Sequence, residues 1–272
     1  MTLSVLREVH QASVEHGADY FVIGATARDI LLTHVHGMNT GRATRDVDFA
    51  IAVANWEQFA SIRQRLGSVE GFSTSDALAH RLHYLAPGAQ APYPIDLVPF
   101  GGVEKPRHTI GWPPDMSILM NVAGYEEALA AAISVQVAPG LAVRVASLPG
   151  LAVLKLLAWK DRGQRDPKDA DDLQFLMRSY ASAGNLDRLY EIEFAILEAA
   201  DHDPDNAGVY LLGKDVGLLA GPEAYAQCTA MLDDPVQRDR LAMHMARTRS
   251  NVQEALTIAE NMLDCFRQGL DQ

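Results

Sequence analysis

Apolar residues at Leu3, Leu6, Val9 and Val14 with polar residues between them predict a surface helix over 3–16. A β-prone run follows at 20–23. Gly24 breaks it, and helical spacing resumes over 27–34 through Ile30, Leu31 and Leu32. After the polar loop HGMNTGRATR, the pattern predicts a strand over 46–53, a helix over 56–66, and two more strands over 81–85 and 95–99. This order predicts an α+β fold with a sheet of at least four strands. Residues 87–94 read as a turn-rich loop and 101–114 as a second, rich in Gly, Pro and basic residues, while 135–137 and 141–145 flank Pro139-Gly140 as a hairpin. From Ser147 the strand signals stop: Ser147-Leu148-Pro149 reads as a helix start, and helices with short breaks follow. The expected division is a mixed, helix-flanked sheet in 1–146 and a helical bundle in 147–272.

Composition narrows the setting. The chain has 272 residues, 48 % apolar and 21 % charged, which suits a folded globular protein. No run of about eighteen apolar residues appears, and the first seventeen residues lack the basic end, apolar block and cleavage site of a secretory signal, so a cytoplasmic protein without membrane contact is expected. Cys228 and Cys265 have no partner motif, which argues against a disulfide framework or a zinc knuckle. The net charge of −12 argues against wide, unassisted nucleic-acid binding. Residues 1–150 carry 10 Lys and Arg against 14 Asp and Glu, and residues 151–272 carry 13 against 21, so the helical half is the more acidic.

Asp46 and Asp48 stand in an otherwise apolar strand. At i and i+2 they share one face, and Val47 and Phe49 share the other. Two carboxylates that close repel, and a hard cation such as Mg²⁺ removes that cost while keeping positions for water and phosphate oxygens. Asp96, in the β-prone run YPIDLVPF, is a third carboxylate that a neighbouring strand would bring beside the pair. Three carboxylates suit two metal ions about 4 Å apart, an arrangement for phosphoryl or nucleotidyl transfer. Upstream, Gly24-Ala25-Thr26 lies where a strand passes into a helix, a place that favours an anion such as a triphosphate.

These residues resemble the signature of the DNA polymerase β-like nucleotidyltransferases. That signature has Gly-Gly or Gly-Ser opening a helix, then Asp-x-Asp or Asp-x-Glu, then a carboxylate on a later strand. Ala25 departs from it, standing where a second Gly or Ser is usual, so that either Thr26 compensates in holding phosphate or triphosphate binding is weaker. Residues 148–177 are similar to the second signature of abortive-infection toxin nucleotidyltransferases of the AbiEii kind. There Lys155 matches a helical lysine, 162–168 a basic stretch, and Asp169-Ala170-Asp171-Asp172-Leu173 an acidic run. Asp169 and Asp172, at i and i+3, would orient Lys155 or a basic neighbour. The resemblance implies NTP as substrate, Mg²⁺ (two ions), transfer of NMP to an acceptor hydroxyl with tRNA ends among the acceptors, and an antitoxin protein as partner.

Other readings stay open. GATARDILL also resembles the Gly-Gly-x-x-Arg-Asp start of CCA-adding enzymes and poly(A) polymerases; small hydroxyl acceptors such as aminoglycosides, or an inactive nucleotide- or partner-binding module, are further alternatives. Arg28 and Asp29 read either as a surface pair or, for Arg28, as a nucleotide contact. Arg45, in the 42–45 loop, reads as a charge partner of the aspartates or a phosphate contact. Trp112-Pro113-Pro114 with Lys105-Pro106-Arg107-His108 is a candidate nucleobase or acceptor contact. The pairs His34/His36 and His80/His83 lack the further ligands of a tetrahedral site.

Overall fold

The computed structural model describes residues 2–39, 46–75, 78–247 and 251–272. Arg45 and the whole of the 42–45 loop lie outside the described residues. The chain divides into two compact units, Met1–Ser147 and Leu148–Gln272.

In the first unit, helix α1 (Thr2–Glu15) turns Val5, Leu6, Val9 and Ala12 inward, each at most 2 % exposed. Strand β1 (Asp19–Ile23) ends at Gly24, whose φ of +66° is the left-handed conformation that glycine adopts without the clash of a side chain. Helix α2 (Gly24–Asp29) starts there and runs on as a π-helical turn over Ile30–Val35. Strand β2 (Val47–Val53) leads to helix α3 (Trp56–Gly67), whose start is capped by the Asn55 side chain accepting from the Gln58 amide. Strands β3 (Phe72–Thr74), β4 (Arg81–Tyr84) and β5 (Tyr93–Gly101) follow. Then come β6 (Thr109–Trp112), β7 (Ile118–Asn121), the short helix α4 (Tyr125–Ala130), β8 (Ile133–Ala138) and β9 (Leu141–Val145).

Seven of these strands form one mixed sheet in the order β3-β4-β5-β2-β1-β9-β8. The pairs β2–β5 and β1–β9 are parallel and the other four antiparallel. Its apolar register is specific: Val47 pairs with Ile95 and Phe49 with Leu97, all four fully buried, which aligns β5 on β2 because a one-residue slip would turn these side chains to the opposite face. The 101–114 loop reading is corrected: Thr109–Trp112 pairs with Ile118–Asn121 as a separate two-stranded ribbon.

The second unit is helical: α5 (Leu148–Arg162), α6 (Lys168–Ser179), α7 (Leu186–Glu191), α8 (Phe194–Ala199), α9 (Pro204–Leu219), α10 (Pro222–Asp233), α11 (Pro235–Ala246) and α12 (Val252–Leu270). Helices α9 and α12 pack backbone to backbone. A Cβ on Gly213 would strike the Phe266 carbonyl, and one on Gly217 would lie 2.5 Å from the Leu270 carbonyl oxygen. Tyr180 and Arg188 both donate to Asp215, and Arg188 and Lys214 share Glu193, so one hydrogen-bonded network ties the end of α6 to α7, α9 and the start of α8. Among the described residues no helix is long and apolar enough to cross a membrane.

Candidate active site

The sheet of the first unit builds a row of charged positions. Asp48 on β2 pairs in register with Asp96 on β5, and Asp96 pairs with Arg81 on β4. On the other side Asp48 pairs with Ile23, the residue before the Gly24 turn. In-register neighbours on a pleated sheet point to one face and lie about 5 Å apart, so Asp48 and Asp96 repel by about 3 kcal/mol at an effective dielectric of about 20. Arg81 offsets this repulsion. Its Nε donates to Asp96 Oδ1 at 2.7 Å and its Nη2 to Oδ2 at 2.6 Å, a two-point match that occupies both carboxylate oxygens. Those hydrogen bonds hold the Arg81 guanidinium above its ordinary pKa against the opposing effect of burial, with added pull from Asp96, Asp46 and Asp48.

Gly24 closes the row. A Cβ there would run into the Asp48 carboxylate, with Cγ only 3.0 Å away, so the turn leaves room for that carboxylate only because it is glycine. Ala25 sits half-exposed on the same turn. Thr26 does not compensate for it: the side chain is 3 % exposed and its hydroxyl donates to the Asp46 carbonyl at 3.1 Å, which fixes the entry to β2 instead of facing a ligand. Asp46 itself lies one residue before β2 and is half-buried.

Arg28 is not on the surface. It is 6 % exposed, and its Nε and Nη2 donate to Asp29 Oδ1 at 3.0 and 2.8 Å. The helix turns it inward because Ala27 and Leu31 beside it are core residues. Trp112 is likewise corrected as a ligand contact. It is 8 % exposed and packs its ring against Trp56, Phe59 and His80 at centroid distances of 5.8, 6.3 and 5.2 Å, where its apolar area is best buried. Burial pushes the His80 imidazole down in pKa; Asp96, 4.0 Å from its Nε2, opposes that, and Arg81 and Arg63 reinforce it. His34 Nε2 donates to the Gln136 carbonyl oxygen at 3.0 Å.

The three-carboxylate expectation needs amending in one respect. Among the described residues no three His, Cys, Asp or Glu side chains converge as a metal-holding group. The sheet aligns Asp96 with Asp48, but the Asp96 oxygens are turned to Arg81. Arg81 is the residue that sequence reasoning passed over. A signal was present in HRLHY, where alternation puts Arg81 and His83 opposite the buried Leu82 and Tyr84, yet nothing local says which strand Arg81 faces.

The second unit gathers its own group. Lys155 on α5 reaches two carboxylates one turn apart on α6, Asp169 Oδ1 at 3.0 Å and Asp172 Oδ2 at 2.6 Å. Asp169, fully buried, also accepts from Arg162 Nε at 2.6 Å and Nη2 at 3.0 Å. Burial alone would lower the Lys155 pKa, and Asp172 and Asp169 outweigh it and hold it above the ordinary value. Burial would raise Asp169, and Arg162 and Lys155 reverse that and hold it below. Within the group, two cations match two anions, so the buried charges are compensated. Asp161 is exposed and Asp166 half-buried.

Comparison with known proteins adds the following. No curated protein sequence matches the chain. Solved structures with some likeness include antibiotic-resistance factor ANT(2'')-Ia, at 16 % identity and a TM-score of 0.40 over 74 % of this chain and 97 % of that one. A CCA-adding enzyme in complex with ATP aligns at 13 % identity and a TM-score of 0.25 over 99 % of this chain and 79 % of that one. The Thermotoga maritima CCA-adding enzyme complexed with tRNA aligns at 12 % identity and a TM-score of 0.25 over 99 % and 78 %. The family model described as "Nucleotidyl transferase AbiEii toxin, Type IV TA system" matches residues 12–259, nearly the whole chain. The chain belongs to the AbiEii nucleotidyltransferase toxin family.

Proposed function

We propose that the chain transfers NMP from an NTP to an acceptor hydroxyl, with release of pyrophosphate, at the Asp46, Asp48 and Asp96 row. The observation that carries this reading is the Asp48–Asp96 register, with Asp48 held against a glycine turn that opens a helix. The donor set is oxygen-only carboxylate, with Asp48 seated against the bare Gly24 backbone, which fits a hard divalent cation such as Mg²⁺. Asp46 and Asp48 would hold the first ion and Asp96 would help hold a second; bound there, Mg²⁺ supplies charge neutralisation for the triphosphate and for the departing pyrophosphate.

The chain's own groups do the rest. The Gly24-Ala25-Thr26 turn presents backbone N–H groups to phosphate, with Thr26 acting from beneath through its bond to the Asp46 carbonyl. Asp96 takes the proton of the acceptor hydroxyl as the new oxygen–phosphorus bond forms and the bond to pyrophosphate breaks. For Lys155 we infer a supporting role as a held positive group, its orientation set by Asp169 and Asp172. Arg28, engaged with Asp29, supports α2 and leaves phosphate contact to the turn.

Family membership favours RNA ends, tRNA among them, as acceptor and an antitoxin as partner. The test is pyrophosphate release from each of the four NTPs with Mg²⁺, with and without total tRNA, for the parent chain and for Asp46→Ala/Asp48→Ala. Release that requires tRNA and both aspartates is expected. Release that survives the double substitution would place the chemistry elsewhere and overturn the proposal.

A further inference from the structure

We infer that Arg81 is a positioning residue that competes with a divalent cation for Asp96, so that loading the carboxylate row requires Arg81 to let go. The inference rests on the carboxylate reading above and adds a residue and a control step to it.

Arg81, Asp96 and Asp48 are consecutive members of one cross-sheet row, on β4, β5 and β2. The guanidinium uses two parallel hydrogen bonds, 2.7 and 2.6 Å, on the two oxygens of Asp96. It also lies close enough to Asp46 and Asp48 to be drawn by both charges. Arg81 therefore supplies to this cluster the compensating positive charge that a metal ion would otherwise supply. A carboxylate matched at both oxygens is a poorer ligand, because a cation must replace two charge-assisted hydrogen bonds. The Arg81 side chain is 33 % exposed against 16 % for Asp96, so a released guanidinium has water, or an incoming phosphate, to receive it. A clamp with a purely structural purpose would have the opposite consequence: removing it would disorder Asp96 and weaken cation binding.

The experiment is titration of the full chain with Mn²⁺, without nucleotide, following free Mn²⁺ by its electron paramagnetic resonance signal. The proteins are the parent, Arg81→Gln, Arg81→Lys and Asp48→Asn. Arg81→Gln is expected to bind Mn²⁺ about tenfold more tightly than the parent, the scale of one hydrogen bond to a charged group. Arg81→Lys, which keeps the charge without the fork, is expected to fall between the two, and Asp48→Asn to bind more weakly than the parent. Equal or weaker binding by Arg81→Gln, with Asp48→Asn still impaired, would overturn the role given to Arg81 and leave the carboxylate site standing. Binding indifferent to Asp48→Asn would overturn both. Thermal melts check each fold, and if the Gln variant does not fold, tighter binding by Arg81→Lys supports the inference and equal or weaker binding overturns it.

Discussion

Two of the charged groups of this protein, one in the sheet unit and one in the helical unit, are built on opposite principles. In the sheet unit, Asp48 and Asp96 stand in register as like charges, and among the described residues Arg81 binds both oxygens of Asp96. In the helical unit, Lys155 and Arg162 meet Asp169 and Asp172, and the charge is already matched. A group dominated by like charges favours an added cation. A balanced one holds itself in place. The first should therefore be rich in function and poor in stability, and the second the reverse.

Substitutions can break this contrast, beginning with the largest effect. Asp48→Asn should lower pyrophosphate release by about a thousandfold, roughly 4 kcal/mol of transition-state stabilisation, while leaving the urea midpoint unchanged or raising it, since one member of a repelling pair is removed. A fall in both would show that Asp48 is structural. Asp169→Ala should cost about 3 kcal/mol of stability in the helical unit, because it removes the buried carboxylate that Lys155 and Arg162 share; chemical denaturation followed by circular dichroism measures it.

Gly24→Ala comes next, at about 2 kcal/mol, from a left-handed φ that alanine tolerates poorly and a Cβ that would displace the Asp48 carboxylate. It should cost activity as well as stability, unlike Asp48→Asn. Gly213→Ala, on the buried face between α9 and α12, should cost about 1–3 kcal/mol in melting experiments through a forced separation of the two backbones, with no direct effect on metal affinity.

The smallest effect is that of pH on the helical group. Asp169 has a folded pKa held below its ordinary 3.8, so its contribution is complete above that value and fades as pH falls through the depressed one. Lys155 is held above its ordinary 10.5, so its contribution is complete below that value and fades only as pH rises through the higher one. Between these limits the pair should add nothing to the pH dependence of stability, and an Asp169→Asn variant should lose its stability deficit only at strongly acid pH. A deficit that changed between pH 6 and 8 would contradict this assignment.

Much was legible because it is local. The alternation of Val47, Phe49 and Ile51 against Asp46 and Asp48 set the two aspartates on one side of β2, since side chains alternate on any strand whatever its neighbours. The Gly24 break and the spacing of Asp169 and Asp172 are local for the same reason. The placement of Thr26 was not legible because its hydroxyl is satisfied by a carbonyl twenty residues away, nor that of Trp112 because aromatic partners from α3 and from His80 enclose it.

By itself, then, the sequence determined the types of the strongly patterned elements, the faces of β2 and α6, and membership in a nucleotidyltransferase class through its motifs. Tertiary structure decided which charges meet. The parallel pairing of β5 on β2 set Asp96 beside Asp48, and the antiparallel pairing of β4 on β5 set Arg81 on Asp96. Strand order and register follow from how buried apolar side chains on distant segments pack together, and no periodicity within a single segment encodes that choice.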